Sequence, residues 1–282
     1  MSLSLRKLKE VVVTALQYNF TVREREQLYF ILLEHFTGLT RLNYITFPDR
    51  EVSSIQHESI VNSIMLLNKG IPVQHITEKA YFRDLELKVN KHVLLPRPET
   101  EELVGLVLDE ISPNDRILDA GTGSGCISLS LKNEIPGIDI IGIDISREAL
   151  DVAQLNGENL GLDVNFKKMS IIESLAELGE FQVLVSNPPY IAKSEANMLE
   201  SNVYMHEPHA ALFSITEDPL YFYKALKKRA LEIVNPDGYI FLELHEDYAH
   251  ETAELFTSDK FKDVEILSDL QGKLRFLKIK RI

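Results

Sequence analysis

From about Pro98 onward the chain alternates short apolar, β-branched runs with longer stretches of helical period, and this pattern constrains the fold more than any other feature. The runs at 116–120, 139–143, 164–168, 182–186, 239–243, 264–267 and 274–279 read as seven strands. Strands buried on both faces lose the polar–apolar alternation and become near-continuous hydrophobic runs. Strands of this kind separated by helices imply an α/β fold, a Rossmann-like seven-stranded and mostly parallel sheet with helices on both faces. In such sheets ligands bind beyond the carboxyl ends of the strands, where the strand order reverses. The residues that close each strand are therefore the ones that carry candidate chemistry.

The first 70 residues have a different texture. The apolar run from Val11 to Leu16 reads as helix. Thr21 with Glu24 three residues on forms a capping box ahead of Leu28, Ile31, Leu32 and Phe36, which recur at helix spacing. A further helix is expected over 51–69, stopped by Gly70. Between 71 and 95, Tyr81, Phe82, Leu85, Leu87 and Val89 fall partly on a period of two, as in a hairpin. The chain thus divides into a small helical domain over 1–70, a hairpin linker over 71–95 and an α/β domain over 96–282. The helical domain reads either as a protein-docking module or as a structural cap.

Charge narrows the partners. Lys and Arg number 30 against 43 Asp and Glu, a formal charge of −13 that opposes stable docking of the whole surface on a polyanion. Residues 1–70 are nearly balanced, with eight bases and seven acids, so the rest of the chain carries −14. No stable nucleic-acid binding is expected. A single cysteine, Cys126, excludes an internal disulfide framework and a Cys-rich zinc site, in keeping with the cytoplasm. No apolar run is long enough for a membrane span. The eight histidines form no His-Glu-x-x-His pattern or close triad, so no metal is expected. Ser124 and Ser186 lack the context of a nucleophile elbow, and Cys126 reads as a packing residue.

The first strand of the sheet runs into Asp119-Ala120-Gly121-Thr122-Gly123-Ser124-Gly125-Cys126. Three alternate glycines allow positive φ and let a ligand approach the backbone without a Cβ in the way. A tight strand-to-helix turn without a ligand would use glycines as well. The dinucleotide fingerprint fails here, because Cys126 stands where its last glycine or alanine belongs. The second strand leads to Asp144, whose carboxylate can accept both ribose hydroxyls of an adenosine or can cap the next helix. Gly121, Thr122, Gly123, Ser124, Gly125 and Asp144 together form a candidate adenosine seat. An adenosine cofactor without the pyrophosphate fingerprint points toward S-adenosyl-L-methionine.

The fourth strand ends in Asn187-Pro188-Pro189-Tyr190. Prolines fix φ and push Asn187 out of the α region, so its side-chain oxygen and the Pro188 carbonyl can converge as two rigid acceptors. A planar NH₂ group offers two donors to such a pair, and Tyr190 supplies a flat face to stack on it. Two acceptors pulling on the hydrogens favour pyramidal nitrogen and stabilise the positive charge that develops as it is alkylated. Asn187 is in this reading an orienter and not a base.

These residues resemble the class I S-adenosylmethionine-dependent methyltransferases, in which an Asn/Asp-Pro-Pro-Tyr element marks transfer to planar nitrogen. Within them the chain is similar to the release factor glutamine methyltransferases over nearly all of 70–282. The similarity rests on Leu94-Leu95-Pro96-Arg97-Pro98-Glu99-Thr100-Glu101, the glycine loop, Asn187 to Tyr190, Glu207-Pro208 with Ala211-Leu212, and Asp269 with Gly272 and Arg275. The resemblance implies a catalytic domain that methylates the glutamine of a release factor's Gly-Gly-Gln loop, with N-terminal helices that help grip it. It carries cofactor contacts onto Gly121 through Gly125, Asp144 and Asn187, and substrate contacts onto Asn187, Pro188, Pro189 and Tyr190. One position departs: after the third strand the family shows an acid near the adenine, and this chain has Ser170 followed by Ile171. Arg97 and Glu99 read either as bordering the pocket or as pairing with each other, with the structural role favoured. A monomer is expected.

Two other readings compete. An adenine-N6 nucleic-acid methyltransferase acts on the same kind of NH₂ group, but it calls for a basic face and a target-recognition insertion. A non-catalytic cofactor-binding scaffold has no use for the acceptor pair.

Overall fold

The computed structural model describes residues 3–16, 20–192, 194–195 and 201–282, with backbone alone for 201–203. The chain forms two compact units, Met1–Glu78 and Lys79–Ile282.

The first unit holds β1 (Leu3–Ser4), α1 (Leu5–Ala15), α2 (Val22–Thr37), α3 (Arg41–Thr46), β2 (Glu51–Val52), α4 (Ser54–Leu67) and α5 (Val73–Thr77). Apolar residues three and four apart put one stripe of each long helix inward: Leu5, Leu8 and Val12, then Leu28, Leu32 and Leu33, then Ile60, Ile64 and Leu67. Tyr29 is buried among them, and its hydroxyl donates to the Leu5 carbonyl at 2.9 Å, so the polar tip is satisfied. The expected capping box is present: Glu24 N–H donates to Thr21 Oγ1 at 3.3 Å, and Thr21 N–H donates to Glu24 Oε2 at 2.6 Å. The helix expected over 51–69 starts later. Glu51 and Val52 are extended and pair with Ser4 and Leu3, and a second box, Ser53 with Gln56, caps α4.

The second unit opens with an antiparallel hairpin, β3 (Lys79–Phe82) and β4 (Leu85–Lys88). There follow α6 (Pro98–Leu108), β5 (Arg116–Ala120), α7 (Cys126–Glu134), β6 (Asp139–Asp144), α8 (Arg147–Leu160), β7 (Asn165–Lys168), β8 (Phe181–Ser186), α9 (Ser201–His206), α10 (His209–Leu212), α11 (Tyr221–Ile233), β9 (Val234–Glu243), α12 (Ala249–Leu255), β10 (Phe261–Ser268) and β11 (Leu274–Arg281). One seven-stranded sheet has the order β10-β11-β9-β8-β5-β6-β7, parallel from β9 through β7 and antiparallel at β10 and β11. The order reverses between β5 and β8, which places the ligand crevice at their carboxyl ends. β9 begins five residues before the expected position 239, because the chain bulges at Asp237, whose φ is +62°, and Gly238 passes so close that an added Cβ would lie 2.7 Å from the Gln182 carbonyl. No helix among the described residues is long and apolar enough to cross a membrane.

Successive strand residues feed opposite layers. Leu118, Ile141, Leu184, Ile240 and Leu242 pack with Tyr223, Leu226 and Ala230 of α11. Ile117, Ile140, Val183, Val185 and Phe241 pack with Leu103, Val104 and Val107 of α6 and with Ile127, Leu129 and Leu131 of α7. The hairpin joins this second layer through Phe82, Leu85 and Leu87, so residues 79–88 are part of the α/β unit, whereas 71–78 lie in the first unit. Arg83 holds the hairpin tip, donating to Glu134 at 2.6 Å and to the Glu101 carbonyl at 3.1 Å. Phe82 is fully buried, so Phe82→Ala should lower unfolding free energy by about 3–5 kcal/mol in urea titration. Unchanged stability would show that the hairpin is only a tether.

Candidate active site

Three strand ends are laced together at the switch point. Beyond β5, the N–H groups of Gly121 and Thr122 both donate to the Ile143 carbonyl of β6 at 2.9 Å. The Gly123 N–H donates to Asp144 Oδ2 at 3.0 Å, and the Ser146 N–H donates to Asp144 Oδ1 at 2.9 Å. Asp144 therefore shapes the glycine loop. The helix cap is Ser146, whose Oγ accepts from Ala149 at 3.1 Å. On the other side of β5, Ser186 Oγ closes β8 by donating to the Ala120 carbonyl at 2.6 Å. A Cβ on Gly121 would lie 3.9 Å from the Asn187 carbonyl oxygen, so the glycine loop and the diproline corner are neighbours.

The three glycines differ in what they need. Gly121, Gly123 and Gly125 all have positive φ, at 82°, 55° and 82°. Around Gly123 a Cβ would meet nothing within 4 Å, whereas at Gly125 it would press on Leu129, Phe166 and Ala153 at 3.0–3.2 Å. Gly125 thus serves the packing of α7 and α8, and the open surface lies at Gly121 and Gly123. Thr122 and Ser124 are both buried: Thr122 Oγ1 donates to Asp119 Oδ2 at 2.6 Å, and the Ser124 carbonyl accepts from Asn156 Nδ2 at 2.9 Å. Asn156, on α8, also clasps β4, accepting from the Lys88 N–H at 2.7 Å and donating to its carbonyl at 3.0 Å.

Asp119 lies beneath the loop, fully buried. Its Oδ2 accepts from Thr122 and Ser128, and its Oδ1 has no hydrogen-bond partner among the described residues. Burial pushes its carboxyl up to about 6, against those hydrogen bonds. Burial also raises Asp144, against the N–H groups of Ser146 and Gly123.

At the corner, Asn187, Pro189 and Tyr190 are half-exposed and Pro188 is buried. Asn187 Nδ2 donates to Thr100 Oγ1 at 3.1 Å, and Thr100 Oγ1 donates to Glu243 Oε2 at 2.7 Å. The Tyr190 hydroxyl donates to the other oxygen, Glu243 Oε1, at 3.4 Å, and its ring meets His245 edge-on with centroids 5.7 Å apart. Glu243 ends β9 with 2% of its surface exposed, and burial pushes its carboxyl up to about 7, opposed first by the Thr100 hydrogen bond. Two further backbone bonds fix the segment after Tyr190: the Ile191 N–H to Leu212 and the Ser214 N–H to Ile191.

Arg97 does not pair with Glu99. Its guanidinium donates to buried Glu207 at 2.5 Å, and the Leu95 N–H donates to the other Glu207 oxygen at 3.3 Å. A buried carboxylate needs a cation and N–H donors together, and half-buried Glu99 needs them less. Ser170 Oγ accepts from the Ile172 N–H at 3.3 Å, and Ile171 packs on the core layer of α11. Burial pushes the Cys126 thiol up to about 12, which disfavours its thiolate. Asp119, Thr100, Asn156 and Glu243 were not singled out from sequence. Glu243 had a signal, being an acid that closes a strand as Asp144 does.

The methyltransferase small domain family matches residues 100–215, and the PrmC N-terminal domain family matches 22–77. The release factor glutamine methyltransferase of Flavobacterium psychrophilum is 35% identical over 272 residues, 95% of both chains. That of Bacteroides thetaiotaomicron is 34% identical, covering 95% of this chain and 96% of the relative. The chain belongs to the release factor glutamine methyltransferase family. Among solved structures, a methyltransferase from Pyrococcus furiosus superposes with a TM-score of 0.53 at 18% identity, covering 79% of this chain and 98% of that one. At that identity the likeness bears on the methyltransferase fold alone.

Proposed function

We propose that this enzyme methylates the side-chain amide nitrogen of the glutamine in the Gly-Gly-Gln loop of a peptide chain release factor, using S-adenosyl-L-methionine. The observation that carries the reading is the direction of the Asn187 amide. Its NH₂ is committed to Thr100 and no described residue donates to its Oδ1, so the free end is an acceptor, on a residue whose backbone carbonyl neighbours Gly121 of the glycine loop. The names of the relatives support the choice of substrate.

When bound, the cofactor supplies a methyl group activated on a sulfonium. Gly121 and Gly123 would give it an open backbone surface, and Asp144 would accept from ribose hydroxyls. Asn187 Oδ1 and the Pro188 carbonyl accept the two hydrogens of the glutamine NH₂, and the Tyr190 ring lies against its plane. An amide lone pair is delocalised into its carbonyl, so the two acceptors promote attack by favouring pyramidal nitrogen and by stabilising the charge that forms there. The alkylated nitrogen then loses a proton to solvent, and no buried base is required.

Incubating the full chain with methyl-labelled cofactor and either a release factor or duplex DNA tests this directly. Label in the Gly-Gly-Gln glutamine is expected, and it should vanish when that glutamine is replaced. Label in adenine, or in neither substrate, overturns the proposal.

A further inference from the structure

We propose that Glu243 is a positioning residue that sets the orientation of the acceptor corner, acting on Asn187 through the Thr100 hydroxyl and on Tyr190 directly. The inference rests on the reading of Asn187 as the acceptor for the substrate amide. It follows from the polarity of a three-member chain. In its ionised form Glu243 has no proton to give, so the Thr100 hydroxyl donates to Glu243 Oε2, at 2.7 Å. Thr100 Oγ1 is then left as an acceptor, and only the NH₂ end of Asn187 can meet it, at 3.1 Å. The oxygen end of the amide consequently faces the other way. Rotating the amide by 180° would set two acceptors against each other beside a buried hydroxyl. The second oxygen of the same carboxylate receives the Tyr190 hydroxyl, so one side chain references both ends of the Asn187-Pro188-Pro189-Tyr190 corner.

The surroundings fit this role. Thr100 is 3% exposed and Glu243 2%, so water does not compete for the bond between them. Charged and titratable groups face the carboxylate from every side: Glu99 on α6, Tyr190 beyond β8, Tyr223 on α11, Arg275 on β11 and Cys126 at the start of α7. Glu99 raises the Glu243 carboxyl and Arg275 lowers it, with burial the largest influence. The net position near neutrality means that acid reverses the chain. As pH falls through about 7, Glu243 gains a proton that it can donate to Thr100; Thr100 can then donate to Asn187 Oδ1, which removes the acceptor from the substrate. Activity that depends on this chain is present above that pH and is lost below it.

The test uses the full chain with a release factor as substrate. Glu243→Gln can donate to Thr100 and invert the chain, and Thr100→Val removes the relay. Each should lower kcat by about 10–100-fold through misorientation. KM for the release factor and the affinity for S-adenosylhomocysteine by calorimetry should stay within about twofold. The double variant should be no worse than the worse single, because both changes cut one chain. Thr100→Ser should recover most of what Thr100→Val loses. The acid limb of the kcat profile assigned to Glu243 should disappear in Glu243→Gln, whose side chain does not titrate. Without any turnover, the side-chain NH₂ resonances of Asn187, assigned by their absence in Asn187→Ser, should move in both relay variants. Unmoved resonances, unchanged kcat, or fully additive losses that track melting temperature overturn the proposal. If Asn187→Ala itself retains kcat, the acceptor reading fails, and the relay fails with it. If Asn187→Ala is inactive while both relay variants are unaffected, the relay alone fails.

Discussion

Asn187→Ala is expected to lower kcat by about 100- to 1000-fold, the range seen when one pre-aligned transition-state hydrogen bond is removed. The substitution takes away the oxygen proposed to accept from the substrate amide and the NH₂ that docks on Thr100. It removes little core, because Asn187 is half-exposed at the strand end and Ser186 still ties β8 to Ala120. Melting temperature should therefore change little while turnover collapses. Single-turnover measurement with saturating cofactor separates the chemical step from binding. A variant with kcat within about threefold of the parent would remove Asn187 from the reaction.

The second large effect should fall on binding. Asp144→Ala deletes the carboxylate that receives Gly123 and Ser146 and that is proposed to accept ribose hydroxyls. Hydrogen bonds to a charged group contribute about 1.5–3 kcal/mol each, so the affinity for S-adenosylhomocysteine should fall about 100-fold in calorimetric titration. Two causes act together, a lost ligand contact and a glycine loop released from its anchor. Asp144→Asn separates them, because its side-chain oxygen still accepts from one backbone N–H while the charge is gone. Affinity within about twofold of the parent in Asp144→Ala would mean that the cofactor does not use this strand end.

The sheet was legible because burial on two faces writes a strong local signal. All seven strands fall where the apolar runs lie, and β5 matches to the residue. The errors occur where local signal is weak. β1 and β2 have two residues each, too few for any period, so Glu51 and Val52 were absorbed into the following helix. β9 starts early because a bulge interrupts its pattern over Asn235-Pro236-Asp237-Gly238. In the candidate site, residues contiguous in sequence were legible: the glycine loop, Asp144, and Asn187 to Tyr190. The partners that orient them were not. Thr100 meets Glu243 across 143 positions and Arg97 meets Glu207 across 110, and no periodicity encodes such a meeting. Of the two readings for Arg97 and Glu99, pairing with each other does not hold, because buried Glu207 takes the Arg97 guanidinium.

The clasp made by Asn156 bears on where the catalytic half of the chain can be cut. Its amide grips the backbone of Lys88 from both sides while it also holds the Ser124 carbonyl in the cofactor loop. A fragment beginning at Pro96, where the sequence alone draws the boundary, would strand that amide in the interior with two of its three partners gone, and would strip Phe82, Leu85 and Leu87 from the sheet. Cofactor affinity should be the first property such a truncation erodes, well before the strands themselves come apart. The smallest piece that keeps its loop in shape starts no later than Lys79.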